Sequence, residues 1–207
     1  MKNLAQAFKP VKQFKKGYSL ILTFLFMITG LSLNAQTINY QSVPINSSIK
    51  VSGTSNIHDW TMKNEVLNAN AAFNFRDGKL NDVTALNFSM KVANLKGKED
   101  LLTTRAHKAM NAAKFTTIAF KLNSATATPL ANGQYTIKAI GELEISGTTK
   151  VVTLYANALL NSDKSISCSG THKLKMSEFG VAPPSFMLGA LKVKDDVAIT
   201  YNLKFKN

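Results

Sequence analysis

The segment YTIKAIGELEIS, residues 135–146, alternates between apolar and polar side chains. Its odd-numbered positions are apolar or small, and its even-numbered positions are polar or charged, with Ile140 the exception. Successive side chains of a β-strand point to opposite faces, so this pattern predicts a strand with one apolar side and one side in water. The apolar side faces either other side chains of the protein or a bound ligand.

The same alternation recurs through most of residues 36–207. It is present in residues 66–76, 84–92, 115–122, 151–160, 166–176 and 197–206. Turn sequences with glycine, such as DGK at 77–79 and ANGQ at 131–134, separate several of these strands. In residues 84–92 the pattern assigns Thr84, Leu86, Phe88, Met90 and Val92 to the apolar face. About eight or nine antiparallel strands are predicted, and such a sheet closes into a barrel or splits into a sandwich to protect its edges.

Two segments break the alternation. Residues 99–115 carry Leu102, Ala106, Ala109 and Met110 at near-helical spacing, which predicts a short inserted helix. Residues 179–193 contain a Pro-Pro pair that is incompatible with a central strand, followed by the apolar run Phe186, Met187 and Leu188. This loop is either a plug against one barrel end, or a lid or membrane-contacting tip.

The N-terminal residues 1–35 have the three parts of a secretory signal peptide. Five lysines without any acidic residue precede an apolar run at residues 18–33, and Ala35 is a small residue suited to cleavage. The apolar run is shorter than the roughly 20 residues needed to span a bilayer. We therefore expect one domain, residues 36–207, in the periplasm or secreted. Cleavage lowers the formal net charge from +13 to +8.

Signatures of catalysis are scarce. The sequence has no Gly-rich phosphate loop, no nucleophile elbow and no His-Glu-x-x-His motif. The histidines, His58, His107 and His172, lie far apart in the sequence, so no metal site is predicted. Cys168 is the only cysteine, which excludes an internal disulfide. We expect a protein that is not an enzyme, and an exported domain is not expected to meet nucleic acid.

The interior of the barrel is the main open question. About eight strands enclose a lumen that side chains fill or that holds one small ligand. Several candidate inward residues are small, namely Ala69, Ala71, Ala139 and Gly141. They either leave a slot for a ligand or accommodate neighbouring aromatic rings, and the pattern alone leaves both alternatives open.

Four segments together resemble the YceI-like family, the polyisoprenoid-binding, lipocalin-like periplasmic proteins. They are SGTSNIHDW (52–60), LLTTRAHKAMNAAKFTTIAF (101–120), GELEISGTTKVVTL (141–154) and KVKDDVAITYNLKF (192–205). The resemblance covers about residues 38–206. The chain departs from the family pattern at Thr116, where a proline is expected, and at Met176, where an arginine is expected.

This resemblance implies an eight-stranded antiparallel barrel with a short inserted helix, which holds a long isoprenoid chain or a similar amphiphilic lipid in its lumen. An isoprenoid lipid or an isoprenoid quinone is the candidate ligand. Trp60, Phe73, Phe75, Phe88, Leu102, Met110 and Phe120 are then the candidates for the apolar lining. His58 and His107 are the candidates for the polar end of the ligand, and Phe186, Met187 and Leu188 for a gate. No metal and no further cofactor are implied.

Two alternatives stay open. A barrel with a filled core would be an interaction or stress-associated module that binds through its basic outer face. A hydrolase or isomerase would use His58 with Asp59, although strand alternation places these two side chains on opposite faces. The expected partners are an apolar lipid and, peripherally, a membrane, and the oligomeric state is open, with a dimer included.

Overall fold

The strands of this protein follow from the alternating pattern, because each buries its apolar face towards a common interior. The computed structural model describes residues 35–207, and the predicted signal peptide lies outside them except for Ala35. The strands are β1 (Ala35–Ser42), β2 (Ser48–Ser55), β3 (Asp59–Asn64), β4 (Leu67–Arg76), β5 (Lys79–Lys91), β6 (Lys96–Gly97), β7 (Thr117–Pro129), β8 (Gln134–Ile145), β9 (Thr148–Leu160), β10 (Ile166–Lys175), β11 (Ser185–Phe186) and β12 (Leu191–Lys206). The helix α1 (Asp100–Ala109) interrupts them.

Eight of these strands form a closed antiparallel ring, which confirms the predicted barrel. Their order is β1, β4, β5, β7, β8, β9, β10 and β12, and β12 pairs with β1 again. The closing ladder between β1 and β12 is short, with Gln41 opposite Lys206 and Ser42 opposite Phe205. Strands β2, β3 and β6 continue the sheet from the first part of β12, and α1 follows β6.

The hairpin turns have the backbone that their sequences predict. Asp77 and Gly78 have φ values of 51° and 72°, and Asn132 and Gly133 have 57° and 71°. Positive φ at both central residues is typical of type I′ turns, which match the twist of antiparallel strands. In β8 all six predicted apolar positions are buried, from Tyr135 to Ile145.

One residue of the predicted inward face, Thr84, is misplaced because β5 contains a bulge, while Leu86, Phe88 and Met90 of that face line the interior as predicted. Ala85 pairs with Ala72 whereas Val83 pairs with Phe73, so Thr84 is an extra residue on this strand. Val83 is buried and Thr84 is exposed, the reverse of the predicted alternation. The Thr84 hydroxyl donates a hydrogen bond of 3.2 Å to the Ala72 carbonyl. A single inserted residue reverses the side-chain order along the rest of a strand.

The core is densely aromatic at one end of the barrel, which we call the closed end. Tyr40, Phe73 and Phe205 stack edge to face, with ring centroids 5.2 Å and 5.6 Å apart. The Tyr40 hydroxyl donates to the Lys164 carbonyl, and burial raises the pKa of this phenol. Edge-to-face contact and a hydrogen-bonded hydroxyl are the usual arrangement for buried aromatic residues.

In the barrel wall, β9 and β10 are paired along only part of their length and then separate. These strands pair only from Asn157 to Leu160 of β9 and from Ile166 to Ser169 of β10. Beyond that ladder the Tyr201 hydroxyl, from β12, donates a 2.7 Å hydrogen bond to the Tyr155 carbonyl of β9. Within residues 35–207, no helix is long and apolar enough to cross a membrane.

Candidate ligand-binding cavity

A cavity of about 710 Å³ occupies the barrel beyond the aromatic closed end. Side chains of β2, β3, β4, β5, β7, β8, β9, β10 and β12 line it, together with α1 and residues 184–193. Phe73 and Phe205, both buried, form its floor. A cavity of this volume with a mostly apolar wall is typical of a small-molecule binding site.

The side chains of the cavity wall are less buried than those of the floor. Leu86, Phe88, Leu122 and Leu154 face inward and line the cavity, yet each is only half-buried. A packed core would bury such residues almost completely, because protein interiors reach the density of organic crystals. Side chains therefore do not fill the interior of this barrel.

Eight of the predicted ligand-binding residues line the cavity. They are His58, Trp60, Phe73, Phe88, Leu102, Met110, Phe120 and Phe186. Leu102 belongs to α1 and packs against Gly97 of β6, where even a β-carbon would lie 2.6 Å from Leu102 Cδ2. The absent side chain at Gly97 thus allows α1 to approach the sheet and form one wall of the cavity.

Three of the predicted ligand-binding residues lie elsewhere. Phe75 is buried at the closed end, two residues after Phe73 along β4, and its ring centroid lies 6.4 Å from that of Tyr40. His107 Nε2 lies 2.8 Å from the Leu95 carbonyl oxygen, so this ring is turned towards the backbone that precedes β6. Leu188 is fully exposed on a turn. The side chain of Met187 lies outside the described part of the structure.

The cavity meets solvent at what we call the mouth, formed by residues that are exposed and also line the cavity. These are His58, Asp59, Thr61, Lys98, Glu99 and Leu101. Beside them the Arg105 guanidinium lies 3.9 Å from the centroid of the Phe186 ring, which fastens α1 to β11 by a cation–π contact. The polar and charged groups are concentrated at this end.

The deeper wall contains a few polar atoms that the predicted set of binding residues does not include. His172 lines the cavity, and burial lowers the pKa of its imidazole while Glu178 partly opposes the shift. Burial also raises the pKa of Cys168 to about 12 and that of Tyr201 to about 12. Near neutral pH all three are therefore uncharged, which suits an apolar ligand. Strand alternation already places His172 and Cys168 on an inward face.

The small inward residues divide between two roles, since some make room for neighbouring aromatic rings and others line the cavity. Gly141 makes room for an aromatic ring, because a β-carbon there would lie 2.5 Å from Phe120 Cζ. Ala69 is buried in the core at the closed end. Ala71 and Ala139, in contrast, line the cavity directly.

Neither a metal site nor a catalytic pair is formed by the mouth residues. His58 Nδ1 lies 2.9 Å from the backbone carbonyl oxygen of Asp59, its neighbour in the chain. Among residues 35–207, no three His, Cys, Asp or Glu side chains are grouped to hold a metal ion.

Comparison with protein families matches a YceI-like domain to residues 40–205. The chain belongs to the YceI-like family. This match begins within β1 and ends within β12, so it reaches all strands of the closed ring. No curated protein matches the chain.

Solved structures share the architecture of this YceI-like chain. BcnA of Burkholderia cenocepacia is 16% identical, with a TM-score of 0.64, and the match covers 79% of this chain and 98% of BcnA. A polyisoprenoid binding domain from Saccharophagus degradans, implicated in plant cell wall breakdown, is 13% identical with a TM-score of 0.63. That match covers 81% of this chain and 97% of the domain. At these identities the likeness concerns the fold.

Proposed function

We propose that this YceI-like protein is an exported lipid-binding protein that holds one long isoprenoid chain in its barrel. The observation that carries the proposal is the cavity of about 710 Å³ with a mostly apolar wall. Removing apolar surface from water is favourable by roughly 25 cal/mol per Å², so a hydrocarbon chain can be held with few polar contacts. Support also comes from the YceI-like domain match and from the polyisoprenoid binding domain that shares the fold.

The volume of the cavity limits the size of the ligand. A water-sized group occupies about 30 Å³ in a liquid, so the cavity accommodates roughly two dozen such groups. This number fits one chain of about 25 carbons, or about five isoprene units. A lipid with two acyl chains would leave much of its hydrocarbon outside the barrel.

The distribution of polar groups indicates the direction in which the ligand lies. The floor is made of aromatic rings, and His58, Lys98 and Arg105 lie at or beside the mouth. A polar head group keeps most of its hydration at the mouth, whereas at the floor it would lose water without gaining partners. The hydrocarbon chain of the ligand therefore extends to the floor of the cavity, and its head group remains at the mouth. An isoprenoid alcohol or an isoprenoid quinone has this form.

The alternatives considered from the sequence have less support. A filled-core interaction module does not fit an interior that side chains leave open. An enzyme using His58 with Asp59 would need the carboxylate to orient the imidazole, but His58 Nδ1 is turned towards the Asp59 backbone. The function proposed for this chain, as for the family, is binding rather than catalysis.

Export is part of the proposal and rests on the sequence of residues 1–35. Cleavage after Ala35 gives a protein that begins at Gln36, in the periplasm or outside the cell. N-terminal sequencing of the protein recovered from the exported fraction tests this, and an intact N terminus at Met1 would contradict it.

The binding proposal is tested by extracting the purified protein. Protein recovered from the exported fraction without detergent is extracted with organic solvent, and the extract is examined by mass spectrometry. We expect a long-chain isoprenoid at close to one molecule per protein. A blank extract, together with no uptake of added polyprenols or isoprenoid quinones, would overturn the proposed function.

A further inference from the structure

Three large apolar side chains are exposed around the mouth of the cavity. Ile57 is 62% exposed, Leu101 is 56% exposed and Leu188 is fully exposed. Single exposed apolar residues are ordinary on protein surfaces, but a group around one opening marks a site of interaction. We call Ile57, Leu101 and Leu188 the mouth patch.

Specific contacts hold the segments of the mouth patch together. The Asn56 side chain donates to the Ala190 carbonyl and accepts from the Lys192 amide, both at 2.8 Å. The loop that carries Ile57 is thereby fixed to the turn that carries Leu188. Arg105, one helical turn after Leu101, lies against Phe186 of the same 185–192 segment.

The exposure of Leu188 comes with an unfavourable backbone conformation. Its φ is 55°, and Gly189 follows with a φ of 92°. A left-handed conformation is uncommon for a residue with a branched apolar side chain and costs of the order of 1 kcal/mol or more. The turn therefore exposes an apolar side chain to solvent and also has a strained backbone. Neither feature stabilises the isolated barrel, so both call for another explanation.

The charges near the mouth patch are nearly balanced. Within four residues of Ile57, Leu101 and Leu188 along the chain, the basic side chains are Lys98, Arg105 and Lys192, and the acidic ones are Asp59, Glu99 and Asp100. Such a surface has no strong attraction for an anionic partner. Its interaction depends instead on the apolar side chains.

We infer that the mouth patch docks the barrel onto the surface of a phospholipid bilayer, with Ile57, Leu101 and Leu188 inserted among the lipids. This inference rests on the proposed function, because a long isoprenoid is nearly insoluble in water and resides in membranes. Leu101 belongs to both the patch and the cavity wall, so the apolar surface is continuous from one to the other. Docking at this position lets the isoprenoid chain pass between the bilayer and the cavity without crossing water.

The docking is tested with a polarity-sensitive fluorophore on a cysteine introduced by Leu101→Cys or Leu188→Cys. Matched controls carry the label through Ile45→Cys or Leu130→Cys, two exposed apolar positions in segments that do not line the cavity. The native Cys168 is buried and its raised pKa keeps it as an unreactive thiol, so the label goes to the introduced cysteine. Each protein is mixed with phosphatidylcholine vesicles that contain brominated lipid as a quencher.

We expect the emission of labels at Leu101 and Leu188 to shift to the blue and to be quenched, while labels at Ile45 and Leu130 stay unchanged. The effect should be equal in about 0.1 M and about 0.5 M NaCl, because screening weakens only charge-driven binding. The variant Ile57→Ser/Leu101→Ser/Leu188→Ser should bind the vesicles about tenfold more weakly than Ile45→Ser/Leu130→Ser/Val151→Ser, because it removes the inserted apolar surface.

Labels at the mouth that remain water-like, or that respond no more than the controls, would overturn the inference. Loss of binding in high salt would do the same, since it would assign the contact to the basic outer face. Self-association of the labelled protein without vesicles would point to a second copy as the partner and would also overturn it. Failure here is distinct from failure of the proposed function, since ligand uptake is measured by extraction without vesicles.

Discussion

Ala139 carries one of the smallest side chains on the cavity wall, at the middle of the inward face of β8. The substitution Ala139→Trp would place an indole in the space we assign to the isoprenoid chain. We expect uptake of an added polyprenol to fall by about tenfold or more, which corresponds to roughly 1.4 kcal/mol of binding free energy. Titration of the purified protein with the polyprenol measures this.

The matched control for this substitution is Lys138→Trp, on the exposed face of the same strand. It adds the same side chain outside the barrel, so uptake should remain that of the unsubstituted protein. Circular dichroism should show the same strand content in both variants. Equal uptake by the Ala139→Trp protein would place the ligand somewhere other than the cavity.

His172 links the stability of the barrel to pH. Burial lowers the pKa of its imidazole below the 6.5 of an exposed histidine, so between these two pKa values the unfolded chain binds more protons. The stabilising contribution is complete above pH 6.5 and is lost as the pH falls through the folded pKa. The variant His172→Gln should show a weaker loss of stability on acidification from about pH 7.5 to about pH 5 than the unsubstituted protein. Urea unfolding at both pH values measures it, and parallel losses would contradict it.

Which residues face inward could be predicted from the sequence, but how deep they lie could not. Alternation in period two places both Phe73 and Phe75 on the inner side of β4, and the structure agrees. Only the tertiary arrangement shows that Phe73 touches the cavity while Phe75 lies below it. The resemblance to the family made His107 a candidate for the polar end of the ligand, but a hydrogen bond with the Leu95 carbonyl turns its ring elsewhere.

At the scale of elements, the division between β9 and β10 depends on the absence of a side chain at Gly170. A β-carbon at this position would lie 2.3 Å from the Tyr155 carbonyl oxygen and 2.5 Å from the Tyr201 hydroxyl. Backbone on one side and a hydrogen-bonded ring on the other leave little freedom to adjust. We expect Gly170→Ala to lower the free energy of unfolding by about 1–3 kcal/mol, the usual cost of overpacking.

Chemical denaturation compares this variant with Ser169→Ala, its exposed neighbour on the same strand. The control should change the stability by no more than about 0.5 kcal/mol, as most surface substitutions do. If both variants were equally stable, the contact between β9 and β12 through Tyr201 would not be a fixed part of the wall.

Elements were predictable where their signal is local. Hairpins with Asp-Gly or Asn-Gly turns and the helix in residues 99–115 were predicted, although α1 ends at Ala109 and turns follow it. The bulge at Thr84 was not predictable, because its cause is the pairing of β5 with β4. The three-stranded extension of β2, β3 and β6 likewise depends on contacts between distant segments.

For the whole molecule, the depth of the cavity should determine how the affinity for an isoprenoid alcohol depends on the length of its hydrocarbon chain. Each buried methylene contributes about 0.8 kcal/mol, so affinity should rise about fourfold per carbon while the chain still reaches new wall. Beyond about 25 carbons, the capacity of a 710 Å³ cavity, further units project from the mouth and the rise should stop. Titration with isoprenoid alcohols of increasing length measures the curve. A rise that continues without a plateau would mean that the ligand binds along the outside.

The alternation of side chains predicted a sheet that closes into a barrel or splits into a sandwich, because a large antiparallel sheet has few ways to protect its edges. The choice of the barrel came from the resemblance to the YceI-like family. The state of the interior was not, since small residues serve equally well beside a ring, as at Gly141, or beside a cavity, as at Ala139. That choice depends on the summed volume of many side chains from all parts of the ring, which no local pattern contains.

The position of β12 in the sheet has a consequence for the order of folding. This strand is the last along the chain, yet it pairs with β1, β2, β10 and β11. Until residues 191–206 have joined the sheet, the ring cannot close, and the edges of β10 and β2 that pair with β12 keep unpaired backbone groups. Pairing across such a distance in sequence makes folding slow. A chain that crosses a membrane N terminus first would therefore remain an open sheet, exposed to proteases and to aggregation, until the sixteen residues of β12 had been delivered.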